Sequence, residues 1–533
     1  MLRDRDKRIY EILTVFGLIL TATVIRNVYL LQYEVRLPYY RLPIIDSAYY
    51  DAWAIRVANG EGYGPMPFYM APLYPYMLAL VYKVFQHNLT IVYFLQEMLG
   101  VLNVFLVYLL GRRLFGHVAG LIAGLMITLY APVVYLESKL LTETLAITLS
   151  LGSLLMLMRA IDKPTIVRFM LTGMMLGLSA LCRPTALLTA VLMALWLLWR
   201  KPVKGRLVAV LAAGIALAVL PVTARNYFVG KDFALITTNV GVCLFQADNP
   251  SATGVFTSVP MFSGALEMQQ MEEMEFASRA LGHQVTASES SGFLMRLGLR
   301  FIRKYPARFA LLTLKKLVWS LHKRESACAY GVDFEKTFVP MLGWMFIPFS
   351  LLAGLGLFGI VRARGPKESE LLMIQAASIY ISMIIFYVSS RFRAPAMPAL
   401  AVFAGCAVVH IARKPGWKSV VGPAVCLAGI LAISLIPYPQ PLIRPNDLGN
   451  VGTAYVKLGD IDKGVFYLRK ALAMDPSAMA HYNLGTALLM EDKVNDAVAH
   501  LRKAVELAPN FPKFQEALAM ALLRQEKLSG PHH

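Results

Sequence analysis

The sequence predicts an all-α chain in two parts, a polytopic membrane domain followed by a soluble helical tail. Three observations carry this. Of 533 residues, 57% are hydrophobic and only 16% charged, whereas an ordinary soluble domain carries roughly 25% charge. Apolar runs of the length a bilayer demands, about 20 residues for ~30 Å of hydrocarbon, recur along residues 1–436. After Ile436, the run Pro437-Tyr438-Pro439-Gln440-Pro441 reads as a stiff linker over 437–445, and the composition then turns to that of soluble helices.

The first span is read at Ile12–Leu31, behind a basic start holding Arg3, Arg5, Lys7 and Arg8. It is too long for a cleaved leader and lacks a small-x-small cleavage site, so it is expected to be retained. Further spans are read at 89–110, 118–135, 142–158, 169–182, 185–199, 207–223, 338–361, 370–388, 396–412 and 419–436, about eleven in all. Arg183-Pro184 splits the 169–199 stretch into a pair, because proline breaks helices and a lone charge in lipid is costly. Arg26 and Glu97 fall at similar depth within spans, which predicts a structural ion pair between them.

Lys and Arg number 52 against 33 Asp and Glu, a formal charge of +19. On such a chain the excess points to basic loops facing the cytoplasm, not to nucleic acid. One set of alternate short loops holds Arg112, Arg113, Arg159, Lys163, Arg168, Arg200, Lys201, Lys204, Arg206, Arg362, Arg364, Lys367, Arg413, Lys414 and Lys418. The opposite set holds only Lys139, Arg183, Arg391 and Arg393. The N-terminus is therefore expected inside, and the segments 32–88 and 224–337 and the tail outside. In a bacterium that is the periplasmic face of the inner membrane. No P-loop, Gly-rich nucleotide fingerprint or zinc-finger spacing occurs. Five cysteines without a C-x-x-C pair exclude a disulfide framework; whether Cys243 and Cys328 pair is open. The sequence assigns no metal site and leaves a divalent ion open.

In the tail, Gly452, Tyr455, Gly464, Leu468, Ala471 and Pro476 are echoed by Gly485, Leu488, Ala497, Leu501, Ala504 and Pro509. This resembles the tetratricopeptide pattern of paired helices over 446–510, with a partial third copy at 511–528. Such repeats imply a docked peptide or protein partner, or a structural cap. Ser529 to His533 is read as a tail outside the fold.

Candidate chemistry lies in the first outer segment. Asp46-Ser47-Ala48-Tyr49-Tyr50-Asp51-Ala52-Trp53-Ala54 follows the first span, and Tyr69-Met70-Ala71-Pro72-Leu73-Tyr74-Pro75 comes later. Farther on stand Leu141-Thr142-Glu143, Leu181-Cys182-Arg183-Pro184-Thr185, Arg225-Asn226-Tyr227, Asp248-Asn249-Pro250 and Arg391-Phe392-Arg393-Ala394-Pro395. In this order they resemble the GT-C glycosyltransferases, nearest the bacterial family-39-like group related to protein O-mannosyltransferases and aminoarabinose transferases. The resemblance covers roughly residues 1–412. It implies a GT-C fold of spans with outer juxtamembrane helices, a polyprenyl-phosphate-linked sugar as donor, and an acceptor that is protein, lipid or glycan.

By that resemblance Asp46 matches the general base of the first outer loop. A carboxylate there can deprotonate a hydroxyl as it attacks the anomeric carbon in a single inverting displacement. Capping of a helix starting at Ser47 is the other role open to it. Asp51 is the second acid on the same helix. Glu143 matches a second-loop acid that orients the substrates, with Glu137 beside it. The sequence departs from both named relatives: Asp46-Ser47 stands where mannosyltransferases have Asp-Glu, and Tyr69-Met70-Ala71-Pro72 lacks the phosphate-holding Lys of the aminoarabinose enzymes. A phosphate clamp is then sought among Arg393, Arg391, Arg183, Lys139 and Arg225, since guanidinium grips phosphate in bidentate fashion. Tyr49 and Tyr69 complete the expected substrate contacts.

The segment 224–337 reads as a polar helix within Met261–Ala287, then an amphipathic one over Ser291–His322 with Arg296, Arg300, Arg303, Lys304, Arg308, Lys315 and Lys316. It suits an anionic membrane surface or a lid. Two other classes stay open: a transporter or flippase, which calls for inverted repeats and broken helices at mid-membrane, and a non-catalytic scaffold acting through its repeats.

Overall fold

Backbone polar groups inside lipid must be satisfied within the segment, which leaves helices as the economical solution for this chain. The computed structural model describes residues 4–257, 259, 261–262, 266–327, 331–362, 365–413, 416–509 and 511–529. Apart from one isolated bridge between Val255 and Val388, the described residues form helices and their connections. Arg3, Cys328, Arg364, Lys414 and the last four residues lie outside the described ones.

Among the described residues five helices are long and apolar enough to cross a membrane: Arg5–Arg36, Leu89–Phe115, Glu143–Asp162, Gly205–Phe228 and Ser390–Arg413. A sixth candidate is bent. The span expected at 118–135 is two helices, His117–Thr128 and Ala131–Glu137, meeting at 63°. Pro132 enters at the start of the second, where its missing N–H costs nothing, and Tyr130 before it is extended. Six shorter apolar helices accompany them among the described residues. Ile166–Cys182 and Ala186–Arg200 are the pair predicted around Arg183-Pro184. The span expected at 338–361 is also divided, into Pro340–Trp344 and Phe349–Arg362, because Pro348 forces a new start. Leu73–Phe85, not anticipated as apolar helix, buries Tyr74, Leu78 and Tyr82 while Leu80 and Val84 stay exposed.

The chain packs as two units. The first comprises Met1–Leu30, Ile45–Val332 and Met341–Pro439. Its core runs through Leu18, Tyr108, Phe169, Trp196, Phe349 and Phe403. Ile166–Cys182 and Gly205–Phe228 approach closely at Gly173 and Gly214. A Cβ on Gly173 would collide with the Leu211 carbonyl and lie 3.0 Å from the Gly214 Cα. Small residues at a membrane helix crossing allow such contact. At one end of this unit Arg112 pairs with Glu11, Arg113 with Asp162 and Arg200 with Glu370. These belong to the loops expected inside, or to the helix ends beside them. The loops expected outside converge with one another elsewhere.

The second unit comprises Leu31–Ile44, Asp333–Pro340 and Gln440–His533. Its repeat helices are Pro445–Lys457, Ile461–Met474, Ala478–Met490, Val494–Leu507 and Pro512–Ser529, two hairpins and one further helix. The tail is thus a tetratricopeptide domain. Gly452 and Gly464 face one another, each approaching the other's carbonyl oxygen within 3.0 Å of an added Cβ, which explains glycine at the repeat's close contact. Two and a half repeats bury little core by themselves. Here they gain partners: Tyr39 donates to the Asp447 carbonyl at 3.4 Å, and Phe338 packs on Tyr467 with ring centroids 6.0 Å apart.

Candidate functional site

Asp46 lies in the first turn of the Ile45–Ala58 helix and is buried. The helix starts one residue earlier than Asp46, so the N-cap role expected from sequence does not describe it. Ile45 holds φ at +50°, a left-handed conformation that is a true outlier for a β-branched residue. Such strain costs on the order of 1–3 kcal/mol and survives only where surrounding structure imposes it. It sits directly before the acid that sequence singled out.

The Asp46 carboxylate is held by Nη1 of Arg391, whose Nε grips Oε1 of Glu143. Arg183 reaches the same Glu143 oxygen at 3.2 Å and stacks over the Phe392 ring at 4.9 Å. Glu143 opens the Glu143–Asp162 helix, where the macrodipole favours its charge. Its second oxygen has no hydrogen-bond partner among the described residues. Two carboxylates and two guanidiniums from four separate segments thus form one cluster. Its floor is aromatic: Tyr50 is buried one helical turn beyond Asp46 and meets Tyr74 edge-on at 5.4 Å. Burial pushes the Tyr50 hydroxyl well above its ordinary range, so it stays protonated.

The short Ser390–Arg393 helix that presents Arg391 is pinned from two sides. Val388 donates to the Gly254 carbonyl at 3.0 Å, and the Ser390 N–H and hydroxyl both donate to the Ser326 carbonyl, at 2.9 and 2.8 Å. The long segment 224–337 therefore fixes the position of Arg391.

The other predicted residues are engaged elsewhere. Asp51 accepts from the Tyr82 hydroxyl at 2.5 Å and lies 2.9 Å from His87 Nε2. Arg393 ion-pairs with Glu325 at 2.8 Å, donates to the carbonyls of Ser320 and His322, and covers the Phe349 ring at 3.6 Å. Lys139 is buried, with Nζ 3.0 Å from Ser138 Oγ and over the Tyr135 ring. Arg225 donates to the carbonyls of Gly64 and Met66 and covers Phe68. Tyr49 meets the Tyr63 hydroxyl at 3.1 Å. Arg26 does not pair with Glu97: it forms a bidentate pair with Glu137 at 2.7 and 2.8 Å. The bend before Ala131 delivers Glu137 to it, and no reading of span depth anticipates that. Neither Glu97 oxygen has a hydrogen-bond partner among the described residues.

Sequence reading passed over Glu325, Tyr50 and Glu273. Glu325 stands after Lys323-Arg324 and reads as one more solvated charge, yet it anchors Arg393 and accepts from Tyr130 at 2.8 Å. Glu273, on the Leu266–Leu281 helix, accepts from the Tyr69 hydroxyl at 2.5 Å and is buried. Burial raises its carboxyl to about 8. The folded state therefore prefers the protonated acid, and this preference is fully present below the unfolded value near 4.5 and lost as pH rises through about 8. Docking of Leu266–Leu281 should weaken across that window. Amide hydrogen exchange over 266–281, corrected for its intrinsic rate, is expected to accelerate from pH 6 to pH 9, and Glu273→Gln to remove the dependence. An unchanged corrected rate would contradict it.

Among the described residues no group of three or more His, Cys, Asp or Glu is placed to hold a metal ion. Residues 69–228 match the family described as dolichyl-phosphate-mannose-protein mannosyltransferase, a stretch that contains Glu143 and Arg183 but neither Asp46 nor Arg391. Residues 452–512 match the tetratricopeptide repeat family. No curated protein matches the chain. Among solved structures, the oligosaccharyltransferase of Archaeoglobus fulgidus in its apo form is 16% identical, with a TM-score of 0.43, over 85% of this chain and 59% of that one. The archaeal oligosaccharyltransferase AglB from the same organism, in complex with an inhibitory peptide and a dolichol-phosphate, is 14% identical at a TM-score of 0.41, again over 85% and 59%. The A. fulgidus enzyme in complex with zinc and sulfate gives 16% and 0.43 over 84% and 56%. The chain spans about three fifths of the length of those it resembles.

Proposed function

We propose that the chain is a membrane glycosyltransferase. It moves one sugar from a polyprenyl-phosphate carrier to an acceptor at the outer, periplasmic face of a bacterial inner membrane, with inversion. The observation that carries this reading is the cluster in which Arg391 joins the carboxylates of Asp46 and Glu143, with Arg183 alongside. The family match over 69–228 supports a lipid-linked donor.

The chemistry asked of the cluster is a single displacement. The acceptor hydroxyl oxygen bonds to the anomeric carbon, the bond from that carbon to the phosphate oxygen breaks, and its electron pair leaves with the phosphate. The hydroxyl proton passes to Asp46, a step typically worth ~10²–10⁴-fold in rate. Arg391 and Arg183 offer the charge-assisted hydrogen bonds a phosphate takes. Glu143 holds both guanidiniums in place. The tetratricopeptide domain suits a protein acceptor or a docking partner.

The test is transfer by the purified full chain with a panel of polyprenyl-phosphate sugars. Asp46→Asn, which keeps shape and loses basicity, is expected to lower transfer by at least ~10²-fold with an unchanged melting temperature. Transfer at the wild-type rate would remove Asp46 from the reaction.

A further inference from the structure

We propose that Arg391 is handed from the Asp46 carboxylate to the leaving phosphate during the reaction, so that base and phosphate clamp share one guanidinium. This rests on the transfer reading above. Its ground is the geometry of the cluster. Glu143 is 1% exposed and anchors Arg391 from the dry side. The Asp46 and Arg391 side chains keep 13% and 10% exposure, and Arg183 17%, so the contact between base and clamp lies on the wetter edge where a substrate arrives.

Charge arithmetic gives the contact its consequence. Two carboxylates and two guanidiniums balance in charge, so among the described residues these four leave no surplus cation for a phosphate. A donor phosphodiester, with one negative charge, competes with ionised Asp46 for Arg391. Proton transfer reverses the preference. Asp46 gains the acceptor's proton and becomes neutral, while the phosphate, now cleaved from the sugar, goes from one negative charge to two. The total is conserved, and the charge Arg391 can pair with has moved from the base to the leaving group. An interaction that strengthens only as charge develops lowers the barrier, whereas one equally strong in the ground state does not. Arg183, held by Glu143 alone among the two acids, has no such reversal and serves as a constant contact.

A double-mutant cycle read by binding of undecaprenyl phosphate to the full chain in detergent tests this. Asp46→Asn mimics the protonated base and is expected to tighten binding about tenfold, the scale of one charge-assisted hydrogen bond. Arg391→Gln is expected to weaken binding, and in that background Asp46→Asn should change affinity by less than about twofold, because the released group is gone. Equal tightening in both backgrounds would mean simple repulsion between Asp46 and phosphate and would overturn the hand-over, as would no tightening in either. Melting curves verify folding, and Asp46→Ser replaces Asp46→Asn should the latter fail to fold. The two readings separate cleanly: retained transfer by Asp46→Asn defeats the catalytic reading, while a null cycle with transfer abolished defeats the hand-over alone.

Discussion

Glu143→Ala is expected to abolish transfer and to destabilise the membrane unit at the same time. Among the described residues, Glu143 is the acid that touches both Arg183 and Arg391, and it is buried. Removing it takes from Arg183 its carboxylate partner in the cluster and from Arg391 the buried one of its two carboxylate contacts. Stripping one partner from a buried ionic group costs roughly 3–5 kcal/mol, because the remaining charge has lost its compensation without regaining water. Arg391, already bonded to Asp46, loses the contact at Nε that sets the direction of its guanidinium, which misplaces the clamp. Misplacement of about 1 Å in such a site costs on the order of 10²-fold in rate. Glu143→Gln retains an oxygen for one guanidinium and should recover part of the stability but not the rate. The check is a paired measurement, melting temperature in detergent and initial transfer rate. Asp46→Asn should lose rate alone and Glu143→Ala both, and full stability in Glu143→Ala would show that the two arginines need no anchor.

This grouping was half legible in the sequence. Asp46, Glu143, Arg183 and Arg391 are four of the residues expected from motif order, and the structure gathers them in one cluster. What motif order could not supply was pairing. Arg391 and Arg393 sit two residues apart on one short helix and read alike, yet one joins the acids and the other turns to Glu325 and the Phe349 ring. Direction on a helix depends on where its ends are tied, and the ties here run to Gly254 and Ser326, far away in the chain. Spans were readable from composition because lipid imposes one rule on every segment. The breaks at Tyr130 and Pro348 were not placed, although Pro132 and Pro348 stood in view, because an apolar run looks the same whether straight or bent. The tail was the clearest part, since its glycines recur at positions where two helices touch.

The second large effect is expected away from the cluster, at the pair that the bend creates. Arg26 is fully buried and takes both Glu137 oxygens through Nε and Nη2. Gly100 makes room for it: a Cβ there would collide with the Glu137 carboxyl. Glu137→Ala should leave Arg26 with a 3.4 Å contact to the Ala22 carbonyl and, among the described carboxylates, the unbonded Glu97 nearby as its one electrostatic neighbour. The expected loss is roughly 3–5 kcal/mol, a large part of the ~5–15 kcal/mol that holds a typical fold. Arg26→Met alone strands Glu137 in the same way. Both changes together, Arg26→Met with Glu137→Leu, remove charge and counter-charge at once and should cost far less than either single variant, since apolar replacements of a buried pair are often near neutral. The non-additivity is the decisive quantity, measured by thermal or denaturant unfolding in one detergent. Additive losses would mean that the two groups act independently and that the 2.7 and 2.8 Å contacts contribute nothing to holding the first span against the bent one.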